Sequence, residues 1–321
     1  MSSLLTNASA MTALQTLTAT NKNLTAAQNR ISTGMRVSTA SDNAAYWSIA
    51  TTMKSDNAAL SAVKDAIGLG AATIDTMYTA LDTTKEIVTE IKKKLVAARD
   101  AGVDRAKVQT EITDLQNQLK ASASSAVFNG ENWLSVDSSA ADYNATRAVV
   151  ASFSRAGGVV TIDKIDIDIS KLHLFDNGKG LFDETLTAVN VTAGTATGIH
   201  NRVDDSQTTV SVFSFDISAV SNNATDLQQL ENLTAAVDGV LNRLTDSISY
   251  LGSIKNRVDI QKDFVNALSD AISRGVGQLV DANMEEESTK LQALQVQQQL
   301  GIQALSIANS SMQNVLSLFR G

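Results

Sequence analysis

The sequence predicts a mainly α protein, a long coiled-coil helical rod made from both chain halves with a small β-rich central insertion. Three observations indicate this fold. Proline, which interrupts helix interiors, is absent from all 321 residues. Apolar residues recur at a mean spacing of about 3.5 near both ends and over long stretches between them. The segment from 128 to about 220 is instead rich in Val, Thr, Ser and Gly.

Both ends of the chain carry heptad seams that hold almost no charge. The N-terminal seam comprises Ala10, Leu14, Leu17, Asn21, Leu24, Gln28, Ile31 and Met35. The C-terminal seam comprises Leu291, Leu294, Gln298, Gly301, Leu305, Ala308, Met312, Val315 and Phe319. Because such seams mark helices that wind on one another, their presence at opposite ends predicts that the two ends pair.

Pairing of the ends would leave other apolar side chains uncovered, namely Leu5, Val296, Leu300, Ile307 and Leu318. Ordering a backbone costs roughly 1–2 kcal/mol per residue, and an isolated helix buries little of its seam. We therefore expect both ends to be disordered in the monomer and to fold on polymerisation. The expected polymerisation interface comprises Leu14, Leu17, Leu24, Ile31, Met35, Leu291, Leu294, Leu305, Ala308, Met312, Val315 and Phe319.

Three further helices are predicted between the ends. The first extends from roughly 43 to 99 along a seam at 60–98, and Gly102 supplies its stop signal. The second is shorter, has Asp104 as its N-cap and runs back antiparallel to the first. The third follows a seam at 230–272. Together these helices predict the body of the rod.

The middle of the chain shows strand patterning. Ile165, Ile167 and Ile169 alternate with polar residues, as expected of a half-buried strand. Segments 148–153 and 159–162 flank Arg155-Ala-Gly-Gly158, which is typical of a hairpin turn. A further strand with a phase slip is predicted through Val210, Val212, Phe213 and Phe215.

Composition excludes several classes of protein. A net charge of -8 and a pI near 4.8 argue against a nucleic-acid partner. Cysteine is absent, so thiolate catalysis and disulfides are excluded. The uncharged stretch 291–319 holds seven Gln residues, which disfavours a membrane span. Basic polar helix faces, which would favour binding to a membrane surface, are missing. No Sec-type signal is predicted, because no Lys or Arg precedes Ala8-Ser9-Ala10.

No enzymatic function, cofactor or metal is expected. Gly68-Leu-Gly70-Ala-Ala72 resembles the start of a dinucleotide loop but lies within a helical seam with no strand before it. His173 and His200 stand alone in the insertion, so surface exposure or local hydrogen bonding is the favoured interpretation. Three aspartates that could bind Ca²⁺ lack the glycine turn and distal Glu of a loop site: Asp163, Asp166 and Asp168.

Several motifs carry a family resemblance. Gln28-Asn-Arg-Ile-Ser-Thr-Gly-Met-Arg-Val37 and Ala40-Ser-Asp-Asn-Ala-Ala45 resemble the N-terminal signature of bacterial flagellins. Phe128-Asn-Gly130 is similar to the turn that follows the second helix in that family. Ser253-Ile-Lys-Asn-Arg-Val258 and Gln313-Asn-Val-Leu-Ser-Leu-Phe319 are similar to its C-terminal signatures. The resemblance covers roughly 1–134 and 225–321, and the wording at 45–50 resembles α-proteobacterial flagellins.

The resemblance implies a structural subunit that polymerises into the extracellular flagellar filament and is exported unfolded through the flagellar type III channel. The implied partners are copies of the chain, possibly other flagellins, an export chaperone, and cap and junction proteins. It also implies three domains: 1–40 with 282–321 as an inner core, 41–175 with 222–281 as a rod, and 176–221 as a reduced outer domain. The hook–filament junction protein is the alternative, since its termini are similar.

One departure from the family concerns recognition by the animal Toll-like flagellin receptor. Flagellins sensed by that receptor carry an Arg on the first long helix, with a Leu and a downstream Glu. Alignment on the Phe128-Asn-Gly130 turn puts Leu95 and Glu111 at the Leu and Glu positions, whereas Ile91 falls at the Arg position. The resemblance therefore implies weak recognition.

Overall fold

The computed structural model describes residues 7–156, 158–177, 179–183, 200–201 and 211–318, with the backbone alone at 200–201 and 311–318. Five α-helices lie in this part of the chain: α1 (Ala8–Thr33), α2 (Ala44–Ala97), α3 (Arg105–Ser125), α4 (Ala224–Val280) and α5 (Met284–Leu318). Its strands are β1 (Thr146–Ala156), β2 (Val159–Asp168), β3 (His200–Asn201) and β4 (Phe215–Asp216). The mainly α architecture with a small central β element is confirmed.

The chain divides into two compact units. The terminal unit comprises Met1–Ala59 and Ala267–Gly321, and the central unit comprises Leu60–Asn266. Helices α2 and α4 contribute residues to both units. The three-part division expected from the sequence stays a prediction.

In the terminal unit, α1 and α5 pack as an antiparallel pair, which we call the terminal pair. Asn7 Nδ2 donates to the carbonyl of Ala308 at 3.0 Å, near the start of α1. At the opposite end of α1, Arg30 Nη1 donates to Glu287 Oε1 at 2.9 Å. Residue numbers rise along α1 as they fall along α5, so the two ends of the chain pair as the seams predicted.

The C-terminal seam packs as predicted at the positions whose side chains the structure describes, whereas the N-terminal seam is wrong at three positions. Buried and half-buried positions on α5 include every seam member from Leu291 to Ala308. On α1 the less exposed face comprises Ala10, Ala13, Leu17, Thr20, Leu24, Ala27 and Ile31. Leu14, Asn21 and Gln28 are exposed instead. The small side chains Ala13, Thr20 and Ala27 occupy the intervening positions, where they allow the two helices to approach closely.

The central unit buries its seams almost completely. Along α2, every predicted seam member at 60–98 is buried except the half-buried Gly70. Helix α4 runs antiparallel to α2, since Arg99 Nη2 contacts Glu231 at 3.2 Å and Lys255 Nζ contacts Asp75 at 2.5 Å. Helix α3 begins after the predicted N-cap Asp104, whose carboxylate accepts from the backbone of Ala106 and Lys107.

Strands β1 and β2 form the predicted hairpin, and Gly158 turns it with a φ of 86°. The register shifts between Val150 and Ser152, which marks a bulge. Val149 packs against Gly70 of α2 so closely that a Cβ on Gly70 would lie 2.9 Å from Val149 Cγ2. Glycine at this position therefore allows the hairpin to lie against the helix.

The predicted strand through Val212 and Phe213 is wrong. Residues 212–214 form a turn, and only Phe215–Asp216 pair with His200–Asn201, while Val210 lies outside the described residues. The backbone N–H of Phe215 donates to the carbonyl of Ser211 at 3.1 Å, and Ser214 Oγ accepts from the Ser211 N–H at 3.1 Å. These local serine hydrogen bonds replace the ladder of a strand.

Candidate assembly interface

The terminal pair has well-defined helix ends. Asn7 caps α1 by accepting from the N–H of Ala10 at 2.9 Å, and Gly34 ends this helix in the left-handed region with a φ of 70°. Asn283 accepts from the N–H of Glu285 at 3.1 Å at the start of α5. The first turn of α5 holds Glu285, Glu286 and Glu287, where negative charge complements the helix dipole.

Polar contacts set the register of the terminal pair. The Arg30–Glu287 ion pair is partly enclosed, with side-chain exposures of 33% and 9%. Gln298 Nε2 donates to Asn21 Oδ1 at 2.7 Å in the middle of the pair. No sequence pattern marks this ion pair, since 257 residues separate its partners. These contacts align the two ends without adding net charge to the pair.

Apolar side chains remain exposed on both helices of the terminal pair. On α1, Met11 and Leu14 are 64% and 54% exposed. On α5, Val296, Leu300 and Ile307 are 55%, 57% and 68% exposed, as the sequence predicted. Leu5 lies outside the described residues, as does the side chain of Leu318.

One outer face of α1 carries Met11, Leu14, Gln15, Thr18 and Lys22 at helical spacing, and all five side chains are exposed. No charged residue occurs on α5 after Lys290, so charge repulsion does not oppose contact between α5 helices of neighbouring copies. The terminal pair thus offers apolar and neutral surface that further protein can cover.

The structure places the described residues of the predicted interface in three environments. Leu17, Leu24, Ile31, Leu291, Leu294, Leu305 and Ala308 lie in the packed face between α1 and α5. Leu14 lies on the exposed face of α1. Met35 lies beyond α1, where it forms an isolated β-bridge with Asp281. The side chains of Met312 and Val315, and all of Phe319, lie outside the described residues.

The three residues aligned with the receptor motif lie in the central unit. Ile91 and Leu95 have no exposed surface, because both belong to the buried seam of α2. Glu111 is exposed on α3 and contacts Lys94 Nζ at 2.5 Å. The Glu111 carboxylate raises the pKa of Lys94 above its ordinary value through this hydrogen bond.

None of the described helices has the length and apolar character of a membrane span. Over the same residues, no group of three or more His, Cys, Asp or Glu side chains is placed to hold a metal ion. Heptad-built helices whose outer faces stay apolar and neutral define a self-assembling structural protein.

Comparison with known proteins identifies the family. Residues 4–138 match the bacterial flagellin N-terminal helical region, and residues 234–319 match the bacterial flagellin C-terminal helical region. The chain is 49% identical over 327 residues to Flagellin C of Rhizobium meliloti (strain 1021), with all of both chains covered. It is 45% identical over 322 residues to a flagellin of Brucella melitensis, again with all of both chains covered.

A crystal structure of Bacillus cereus flagellin is similar with a TM-score of 0.36 at 16% identity, covering 64% of this chain and 88% of that one. The chain belongs to the bacterial flagellin family, of the α-proteobacterial type. It is a structural subunit of the extracellular flagellar filament, and nothing favours the hook–filament junction alternative.

Proposed function

We propose that this flagellin polymerises through the terminal pair, with its own copies and with related flagellins as neighbours. The observation that carries the proposal is the exposure of Met11, Leu14, Val296, Leu300 and Ile307 on helices with very little charge. Burying a side chain of this size stabilises an assembly by about 1.5–3 kcal/mol. The same contacts repeat along a filament, so each copy buries apolar side chains of its neighbours that stay exposed in a single chain.

The predicted interface divides into two roles under this proposal. Residues packed between α1 and α5, such as Leu17, Leu24 and Leu294, hold the pair together. Residues on the outer faces, such as Leu14 and Ile307, contact neighbouring copies. We propose accordingly that 1–40 with 282–321 form the inner core of the filament, 41–175 with 222–281 a surrounding rod, and 176–221 a reduced outer domain.

We also propose that the chain is exported unfolded through the flagellar type III channel before it assembles. An export chaperone would cover the apolar seams before assembly, and cap and junction proteins would contact the chain at the filament ends. The expected disorder of both ends in the monomer follows from the same property, since the terminal pair exposes much apolar surface until neighbours cover it.

We propose no catalytic role for the chain. The glycines of the Gly68–Ala72 motif lie within α2 rather than in a loop after a strand. Asp163 Oδ2 accepts from Ser152 Oγ at 2.8 Å across the hairpin, and Asp168 caps the short 3-10 helix that follows β2.

We also propose weak recognition by the Toll-like flagellin receptor, because the buried Ile91 offers no surface to a receptor.

Substitution of Leu14 tests the assembly proposal. Leu14→Gln should leave the fold of the central unit unchanged and strongly reduce filament formation, because it replaces exposed apolar surface with an amide that must be desolvated. Leu14→Met is the matched control and should polymerise normally. Electron microscopy and sedimentation of purified protein would measure filament length and yield. Micrometre filaments of normal yield from Leu14→Gln would contradict the proposal.

A further inference from the structure

The central unit contains a cleft with a volume of about 540 Å³ that has no part in the proposed assembly. Three chain segments line it: the loop before β1, the segment that follows β2, and one face of α4. Its volume falls within the range of small-molecule sites, about 300–1,000 Å³. Its lining is rich in side chains that donate hydrogen bonds, namely Ser138, Tyr143, Lys171, Lys179, Arg243 and Ser247.

A chain of hydrogen bonds runs along one wall of this cleft. Tyr143 Oη lies 3.2 Å from His173 Nε2, and His173 Nδ1 lies 3.4 Å from Asp176 Oδ2. The side chains of His173 and Asp176 are 7% and 5% exposed. Asp176 Oδ1 also accepts from the backbone N–H of Ser138 at 2.6 Å. The position of His173 is therefore set by partners on both ring nitrogens.

The protonation state of His173 decides which way the Tyr143 hydroxyl donates. In the neutral ring, Nδ1 carries the proton and faces the Asp176 carboxylate, so Nε2 must accept from the Tyr143 O–H. In the protonated ring, both nitrogens donate, and Tyr143 Oη must accept from Nε2. The Tyr143 O–H is then released to donate into the cleft, which Tyr143 lines.

The charges around the cleft come to favour an anion when His173 is protonated. Lys171, Lys179 and Arg243 line the cleft with the carboxylates of Asp176 and Asp246, and Lys171 Nζ also lies 3.8 Å from Asp168 Oδ2, so three cations are matched by three carboxylates. The Asp176 carboxylate is already engaged by the Ser138 N–H and by His173, which reduces its repulsion of an incoming anion. Protonation of His173 adds a fourth positive charge to the wall without adding a negative one.

We propose that this cleft binds a small oxyanion, a carboxylate or a sulfate- or phosphate-like group, and that protonated His173 favours its binding through the Tyr143 hydroxyl. Lys171 and Lys179 supply the charge that attracts the anion. A hydroxyl that donates toward an oxyanion adds a charge-assisted hydrogen bond, which is stronger than a neutral one.

The pH dependence follows from the burial of the imidazole. Burial lowers the pKa of His173 below its ordinary value, and the nearby carboxylates of Asp176 and Asp168 only partly oppose that effect. The titratable groups that face His173 or share its cleft are Tyr143, Asp168, Lys171, Asp176, Lys179, Arg243, Asp246 and Tyr250. His173 is thus neutral at neutral pH and takes up a proton as the pH falls. Because the anion prefers the protonated form, its affinity should rise on acidification and its binding should raise the pKa of His173.

The imidazole signals in the NMR spectrum of the full chain provide a direct readout, because the chain has only two histidines. His200→Gln would assign the remaining signal to His173. Sulfate is the probe, since it stays fully ionised over the pH range in which histidine titrates. Chloride at equal ionic strength controls for screening. We expect the titration midpoint of His173 to be about 0.3 pH unit or more higher in sulfate, which corresponds to about twofold tighter binding to the protonated form.

Three variants distinguish a specific binding site in the cleft from nonspecific electrostatic attraction of sulfate. Lys179→Gln and Tyr143→Phe should each remove most of the sulfate-dependent shift. Lys164→Gln removes one positive charge from the exposed face of β2, outside the cleft, and should keep the shift. Equal midpoints in sulfate and chloride would overturn the proposal. A shift that survives in both cleft variants, or that disappears in Lys164→Gln, would overturn it as well.

Discussion

The terminal pair and the central unit follow the same heptad rule but bury their seams to different extents. In the central unit, Ile74, Met77 and Leu81 have no exposed surface, because α2 packs with α3 and α4. In the terminal pair, Leu14 and Ile307 are 54% and 68% exposed, because each of the two helices covers only one face of the other. Two helices leave an incomplete core, whereas three helices and a hairpin complete one. The difference shows which part of the subunit needs neighbouring copies.

The sharpest test of this difference compares one leucine from each region. Leu81→Ala should lower the free energy of unfolding of the central unit by about 2–5 kcal/mol, since a fully buried leucine leaves a cavity when it is truncated. Leu14→Ala should change the unfolding of the monomer by less than about 0.5 kcal/mol, as is usual for an exposed position.

The chain supplies a separate optical probe for each region. Trp133 is buried in the central unit, and Trp47 is 39% exposed in the terminal unit. In a Trp47→Phe background, Trp133 fluorescence during urea unfolding reports on the central unit, which contains Leu81. In a Trp133→Phe background, Trp47 fluorescence reports on the terminal unit, which contains Leu14. Equal losses of stability from Leu81→Ala and Leu14→Ala would show that the two regions do not differ in the way that their burial indicates.

The close approach of the hairpin to α2 gives a second test, which concerns the central unit alone. Gly70→Ala should destabilise this unit by about 1–3 kcal/mol, because the new methyl group overlaps the stiff, buried side chain of Val149. Gly68→Ala is the control. Its methyl group meets no atom within 4 Å, so it should stabilise α2 by about 0.5–1 kcal/mol through helix propensity. Urea unfolding monitored by Trp133 measures both changes, and opposite signs are expected.

The sequence predicted the central unit more accurately than the terminal pair. The seam at 60–98 consists largely of Leu, Ile, Val and Met, so its phase is unambiguous, and all of its predicted members are buried except the half-buried Gly70. In α1 the contrast is weak, because Ala and Thr are frequent on every face. The heptad pattern therefore places Leu14 on the packed face of α1. In the structure Ala13 occupies that face and Leu14 is exposed.

Long-range polar contacts were beyond sequence reasoning. Asp104 was predictable as an N-cap because its partners follow it directly in the chain. The Arg30–Glu287 pair and the cleft around His173 join residues from distant segments, and no local pattern marks such neighbours. The turn at 211–214 was missed because serine hydrogen bonds, rather than apolar alternation, determine its backbone.

The loss of stability expected at the ion pair within the terminal pair is smaller than the losses expected at Leu81 and Gly70. Glu287→Gln keeps the shape of the side chain but removes its charge, so it should weaken the contact with Arg30 by about 1–2 kcal/mol. Because the proposed function orders the terminal pair only within the filament, this loss should lower the dissociation temperature of filaments and leave the melting temperature of the monomer unchanged. Light scattering and circular dichroism during heating measure the two temperatures.

Glu286→Gln is the matched control for Glu287→Gln, since Glu286 is exposed in the same turn of α5. It removes the same charge from the same helix end, so it subtracts the contribution of the helix dipole. Equal changes in filament stability from the two variants would mean that only the dipole matters and that Arg30 contributes nothing. A lower melting temperature of the Glu287→Gln monomer would show instead that the terminal pair is already ordered before assembly, and that burial in the filament is not what orders it.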